Sequence, residues 1–160
     1  MMTITVELWD EEIESHLRWL QGSARMRRDQ RENQSSNGRR VLIIDDDENM
    51  RAVLCDWLQV LGFEVLEASN GYFGLVHIAF DAHQNPIHGI LLDLRMPVLG
   101  GMAVLQELRQ RHGQIPVIVM SDFEDIHSVR EAIQLGAQEY LLKPFDLELV
   151  RTKCLQLFYE

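Results

Sequence analysis

The chain has 160 residues, enough for one domain of ordinary size, and its formal net charge of −10 argues against binding nucleic acid through bulk electrostatics. Its two cysteines, Cys55 and Cys154, have neither metal-ligand spacing nor the density of a disulfide scaffold and suit a reducing cytosol. No apolar run approaches the ~20 residues that span a bilayer, and the start lacks the basic and apolar segments of a signal peptide, so a cytoplasmic protein with no membrane association is expected.

Along the chain, Trp9, Ile13, Leu17 and Leu20 recur at helical spacing and predict an amphipathic helical extension over residues 1–28. Acids lie toward its start and arginines toward its end, as the helix dipole prefers. A segment below about 40 residues does not fold alone. This helix is expected to pack on the main domain, to pair with a second copy as a homodimer, or to stay partly disordered. The stretch 29–40 is polar, with Asn33, Ser35, Ser36, Asn37 and Gly38 and no apolar periodicity, and reads as a linker. Residues 1–40 carry seven acids and seven bases, so the whole net charge belongs to residues 41–160, the expected main domain.

From Val41 onward strands and helices alternate. Strands are predicted at Val41–Asp45, Phe63–Ala68, Ile87–Asp93, Pro116–Met120 and Glu139–Lys143. Helices are predicted at Glu48–Leu61, Tyr72–Phe80, Gly101–His112, Asp125–Leu135 and Asp146–Phe158, with Gly62 and Gly136 as stops. Such alternation implies an α/β fold, a doubly wound five-stranded parallel sheet covered on both faces. In these folds the site lies at the carboxyl ends of the strands. The residues delivered there are Asp45, Asp46, Asp93, Ser121 and Lys143.

Crowded carboxylates raise the cost of folding unless a cation offsets them, and oxygen ligands suit Mg²⁺. A solvated turn that caps the following helix explains the acidic trio Asp45, Asp46 and Asp47 equally well. Asp93, closing the apolar run Ile90-Leu91-Leu92, is a nucleophile, a metal ligand or a helix cap. Together with the ammonium of Lys143 and the hydroxyl of Ser121, these carboxylates suit the charge that develops on a transferring phosphoryl group. No glycine-rich phosphate loop appears, which argues against a nucleotide hydrolase.

The stretches Val41–Asp47, Leu92-Asp93-Leu94-Arg95-Met96-Pro97, Gly100-Gly101, Val117–Ser121, Gly136-Ala137 and Glu139–Phe145, in this order, resemble the receiver domain of bacterial two-component response regulators over about residues 40–158. The resemblance implies a flavodoxin-like receiver fold. It implies that Asp93 accepts a phosphoryl group from a partner sensor histidine kinase. Asp45, Asp46, Asp93 and the backbone carbonyl of Arg95 would hold Mg²⁺. Ser121 and Lys143 would bond the phosphoryl oxygens, and the Lys143-Pro144 bond would be cis. Tyr140 would change rotamer as Ser121 moves, altering a protein-binding surface for a downstream target. Asp122 departs from the pattern, which has a small residue after Ser121, and its charge is expected to slow labelling by small phosphoryl donors.

The chain ends just after the last predicted helix, so the expectation is a stand-alone phospho-acceptor, or a piece of a longer regulator, and not an enzyme acting on outside substrates. The alternative is a phosphorylation-independent interaction or dimerisation module on a receiver scaffold, working through the N-terminal helix.

Overall fold

The computed structural model describes residues 38–81, 85–113 and 115–159, with Phe123 described by its backbone alone. The predicted N-terminal helix and residues 29–37 of the predicted linker lie outside the described residues. Five strands alternate with five helices: β1 (Arg40–Ile44), α1 (Glu48–Val60), β2 (Glu64–Ala68), α2 (Gly71–Asp81), β3 (Gly89–Asp93), α3 (Gly101–Arg111), β4 (Val117–Asp122), α4 (Ile126–Gln134), β5 (Glu139–Lys143) and α5 (Leu147–Phe158). The strands form one parallel sheet in the order β2-β1-β3-β4-β5, the doubly wound arrangement expected from the sequence.

Alternate side chains of each strand point to opposite faces, so the central strands feed two cores. On one face Leu42, Ile44, Leu92, Val117 and Val119 pack with Ile78 of α2, Val104 and Leu108 of α3 and Val129 of α4. On the other, Val41, Ile43, Leu91, Ile118 and Met120 pack with Leu54 and Leu58 of α1 and with Val150, Cys154 and Phe158 of α5. Burial on both faces explains why β1, β3 and β4 read as continuous apolar runs.

Local sequence sets the helix ends. The Asp47 carboxylate accepts from the backbone N–H groups of Asn49 and Met50 and caps α1. Asp146 does the same for α5 through Glu148 and Leu149. Gly62 and Gly136, at φ +92° and +98°, occupy the left-handed region that stops α1 and α4.

Several boundaries differ from the apolar pattern. β4 runs on through Ser121 and Asp122 because β5 supplies ladder partners, Ser121 opposite Leu142 and Asp122 opposite Lys143. Residues Phe123–Asp125 form a 3₁₀ turn, so α4 starts at Ile126. β3 starts at Gly89, two residues later than predicted. β1 starts at Arg40, the last residue of the predicted linker, and its guanidinium is buried. That charge is offset by Glu64 at 3.1 Å, Asp81 at 3.2 Å and the carbonyl of Asn85. The backbone N–H of Arg40 also donates to Nδ1 of His88 at 3.0 Å, fixing the entry to β3 against β1.

Candidate functional site

The connections from β1 and from β3 run to opposite sides of the sheet, which opens a crevice at the carboxyl ends of these two strands. The acidic trio after β1 is divided by this geometry. Asp45 is fully buried; its backbone N–H donates to Ala68 at 3.1 Å, and its Oδ1 accepts from the N–H of Asp47 at 2.9 Å. Asp46 is exposed at the mouth. Asp47 is the α1 cap. The metal reading and the capping reading of the trio therefore describe different members of it.

Asp93 ends β3 and is 5% exposed. The backbone N–H of Leu94 donates to Met120 at 3.0 Å, and that of Arg95 donates to Asp93 Oδ1 at 3.0 Å, so the turn after the strand is bonded both to β4 and to the carboxylate. Asp45, Asp46 and Asp93 each offer an oxygen, and all three oxygens lie within 4.8 Å of one another. Lys143 comes from the far strand β5. Its Nζ donates to Asp45 Oδ2 at 3.1 Å and to Asp93 Oδ2 at 3.3 Å. Three carboxylates and one ammonium, all ionised, leave a formal charge of −3 + 1 = −2, which a divalent cation would cancel. The following Lys143-Pro144 bond is cis, as expected.

Burial raises the Asp93 carboxyl to about 6, and the nearby Asp45 charge adds to the rise; the Arg95 N–H and the Lys143 ammonium pull the other way without cancelling it. Burial works to lower Lys143, but the charges of Asp93 and Asp45 outweigh it and hold the ammonium above its ordinary value. An acid raised by burial beside an ammonium held up by two carboxylates makes this cluster a candidate functional site.

Ser121 is buried at the end of β4. Its hydroxyl faces Asp125, with Oγ 3.5 Å from Asp125 Oδ2, a long contact. The same carboxylate oxygen accepts from Arg95 Nε at 3.2 Å, and Oδ1 accepts from Ser128 at 2.6 Å. The Ser128 hydroxyl, and after it Arg95, hold the Asp125 carboxyl below the usual range. The sequence reading missed Asp125 altogether. Asp122, the departure from the receiver pattern, is exposed. Tyr140 on β5 is 41% exposed, with Lys153 Nζ 5.6 Å from its ring centroid. Asp45, Asp46, Asp93, Arg95, Ser121 and Lys143 are thus gathered at one sheet edge, and Tyr140 stands apart from the carboxylates on the exposed face of β5.

The pattern of the response regulator receiver domain matches residues 41–154, and the chain belongs to this family, the receiver domains of two-component response regulators. It is 37% identical to the regulatory protein AtoC of Escherichia coli over 121 residues, which is 74% of this chain and 25% of AtoC. It is 40% identical to the transcriptional regulatory protein PrrA of Mycobacterium tuberculosis over 118 residues, 72% of this chain and 49% of PrrA. The chain spans less than half the length of these relatives. Among solved structures, the receiver domain of the Francisella response regulator 1452 superposes with a TM-score of 0.67 at 26% identity, covering 76% of this chain and 98% of that one. No helix among the described residues is long and apolar enough to cross a membrane.

Proposed function

We propose that Asp93 accepts a phosphoryl group from a sensor histidine kinase and that the resulting acyl phosphate switches a protein-binding surface of this domain. The observation that carries the reading is the convergence of Asp45, Asp46 and Asp93, with oxygens within 4.8 Å of one another, beside the Lys143 ammonium, which bonds Asp45 and Asp93. A structural ion pair needs one carboxylate per ammonium. This cluster keeps a net negative charge at a strand edge, a costly arrangement that suits a cation site.

The chain's own groups divide the work. Asp93 supplies the attacking oxygen; its new bond to phosphorus forms as the bond from phosphorus to the kinase's imidazole nitrogen breaks, and the imidazole keeps the electron pair. Lys143, already bonded to Asp93 Oδ2, follows the charge onto the phosphoryl oxygens. Ser121 leaves Asp125 to donate to one of them. The donor set is all oxygen, which fits Mg²⁺; Asp45, Asp46, Asp93 and the carbonyl of Arg95 would hold the ion, and it would neutralise charge on the transferring group. Movement of Ser121 then frees Tyr140 to change rotamer, which alters the face formed by β5 and its neighbouring helices. Downstream, that face would meet a protein target.

Removing the metal tests this reading. With EDTA in excess, labelling by acetyl phosphate is expected to slow by about a hundredfold or more, and Asp46→Asn should need more Mg²⁺ to reach the wild-type rate. Equal labelling with and without Mg²⁺ would refute the metal-assisted step.

A further inference from the structure

Asp125 bridges the Ser121 hydroxyl, which the proposed chemistry needs at the phosphoryl group, and the Arg95 guanidinium, to which that chemistry gives no role. Its Oδ2 accepts from the Arg95 guanidinium at 3.2 Å and faces the Ser121 hydroxyl at 3.5 Å, while its Oδ1 is tied to Ser128 in the first turn of α4 at 2.6 Å. The Arg95 side chain is 62% exposed, and Asp125 is the carboxylate it is paired with. The backbone N–H of Arg95 already lies 3.0 Å from Asp93 Oδ1, so its side chain starts within an arginine's reach of a group carried on Asp93. A phosphoryl dianion matches the guanidinium fork and is a stronger partner for it than one carboxylate oxygen.

We propose that Asp125 is a positioning residue that holds the Arg95 guanidinium away from Asp93 and competes with the phosphoryl group for it, thereby setting how tightly the site retains that group. The inference rests on the phospho-acceptor reading of Asp93. In the unphosphorylated protein the Arg95–Asp125 pair joins the loop after β3 to the turn after β4. When Asp93 carries a phosphoryl group, Arg95 must break this pair to cover it, and Ser121 must leave the same carboxylate. Asp125 therefore opposes the loaded state through both groups. Ser128 bonds the other oxygen of this carboxylate at 2.6 Å and favours its present orientation.

The test uses the full chain, with beryllofluoride as the phosphoryl mimic at saturating Mg²⁺, read by calorimetric titration. Asp125→Ala is expected to bind about two- to five-fold tighter than wild type, the scale of one partly exposed ion pair. Asp125→Asn keeps the size of the side chain and removes its charge, so it should shift the same way and guards against an Ala variant that folds poorly. The gain should shrink when Arg95 is already Ala, leaving only the part that comes from freeing Ser121. Unchanged or weaker binding in both Asp125 variants would overturn the proposal, as would an undiminished gain in the Arg95→Ala background. A wild type that binds no beryllofluoride would be a different result: it would refute the phospho-acceptor reading and take this proposal with it.

Discussion

Asp93→Asn is expected to stabilise the Mg²⁺-free protein near pH 7.5 by on the order of 2–3 kcal/mol. The folded Asp93 carboxyl titrates at about 6, against about 3.9 in an unfolded chain. The folded state therefore binds this proton more tightly than the unfolded state does. Its contribution to stability is greatest below about pH 4, falls as pH rises through 6, and is flat above that. Above pH 7 the folded protein must hold an ionised Asp93 beside Asp45 with Lys143 shared between them. The neutral amide removes that repulsion and that desolvation. Urea midpoints of wild type and variant should differ most near pH 7.5 and converge toward pH 4.5. Mg²⁺ should then raise the wild type more than the variant, since a ligand stabilises only the state that binds it. An Asn variant with the same advantage at both pH values, or none, would show that Asp93 does not carry the strain assigned to it. This instability is the kind expected of a site kept for function at the expense of stability.

Gly101→Ala is expected to destabilise the domain by about 2 kcal/mol, within the range for overpacking, and to slow labelling of Asp93. Two effects oppose each other at this position. Ala is the better helix former by about 1 kcal/mol, and Gly101 opens α3. Against this, a Cβ at Gly101 would stand 2.3 Å from the carbonyl oxygen of Asp93 and 2.7 Å from Cα of Leu94. Both are backbone atoms that cannot swing aside, so either α3 or the end of β3 must move. The clash is expected to win, and movement of β3 displaces the Asp93 carboxylate, where small misplacements would weigh heavily on the rate of the proposed transfer. Gly100→Ala is the control. Its Cβ would meet Leu94 O at 3.7 Å, an ordinary contact, and no loss of labelling is expected. Thermal unfolding and labelling rates of the two variants decide the matter; a Gly101→Ala protein as stable and as fast as wild type would contradict the packing described here.

The parts of the site legible in the sequence share one property: each is a polar residue that ends an apolar strand. Asp45 after Ile43-Ile44, Asp93 after Leu91-Leu92 and Lys143 after Leu141-Leu142 are visible because a buried strand interrupted by charge is a signal along the chain itself. Parallel topology then brings those ends together without further information. Ser121 was visible on the same grounds, although the apolar pattern ended its strand two residues short, because the ladder to β5 carries β4 beyond its apolar stretch. Asp125 and Arg40 were not legible. Asp125 sits in a run of acids, Asp122, Glu124 and Asp125, where nothing in one dimension separates the residue bonded to Arg95 from its exposed neighbours. Arg40 follows Arg39 in a polar segment that reads as linker. Its burial depends on Glu64 and Asp81, which reach it from β2 and from the end of α2.

The acceptor role of Asp93 is most directly tested by the intact mass of the full chain after incubation with Mg²⁺ and acetyl phosphate, with wild type and Asp93→Asn side by side. The expected result is a gain of one phosphoryl group in the wild type and none in the variant. Equal labelling of both proteins, or no labelling of the wild type under conditions where it binds Mg²⁺, would contradict the assignment.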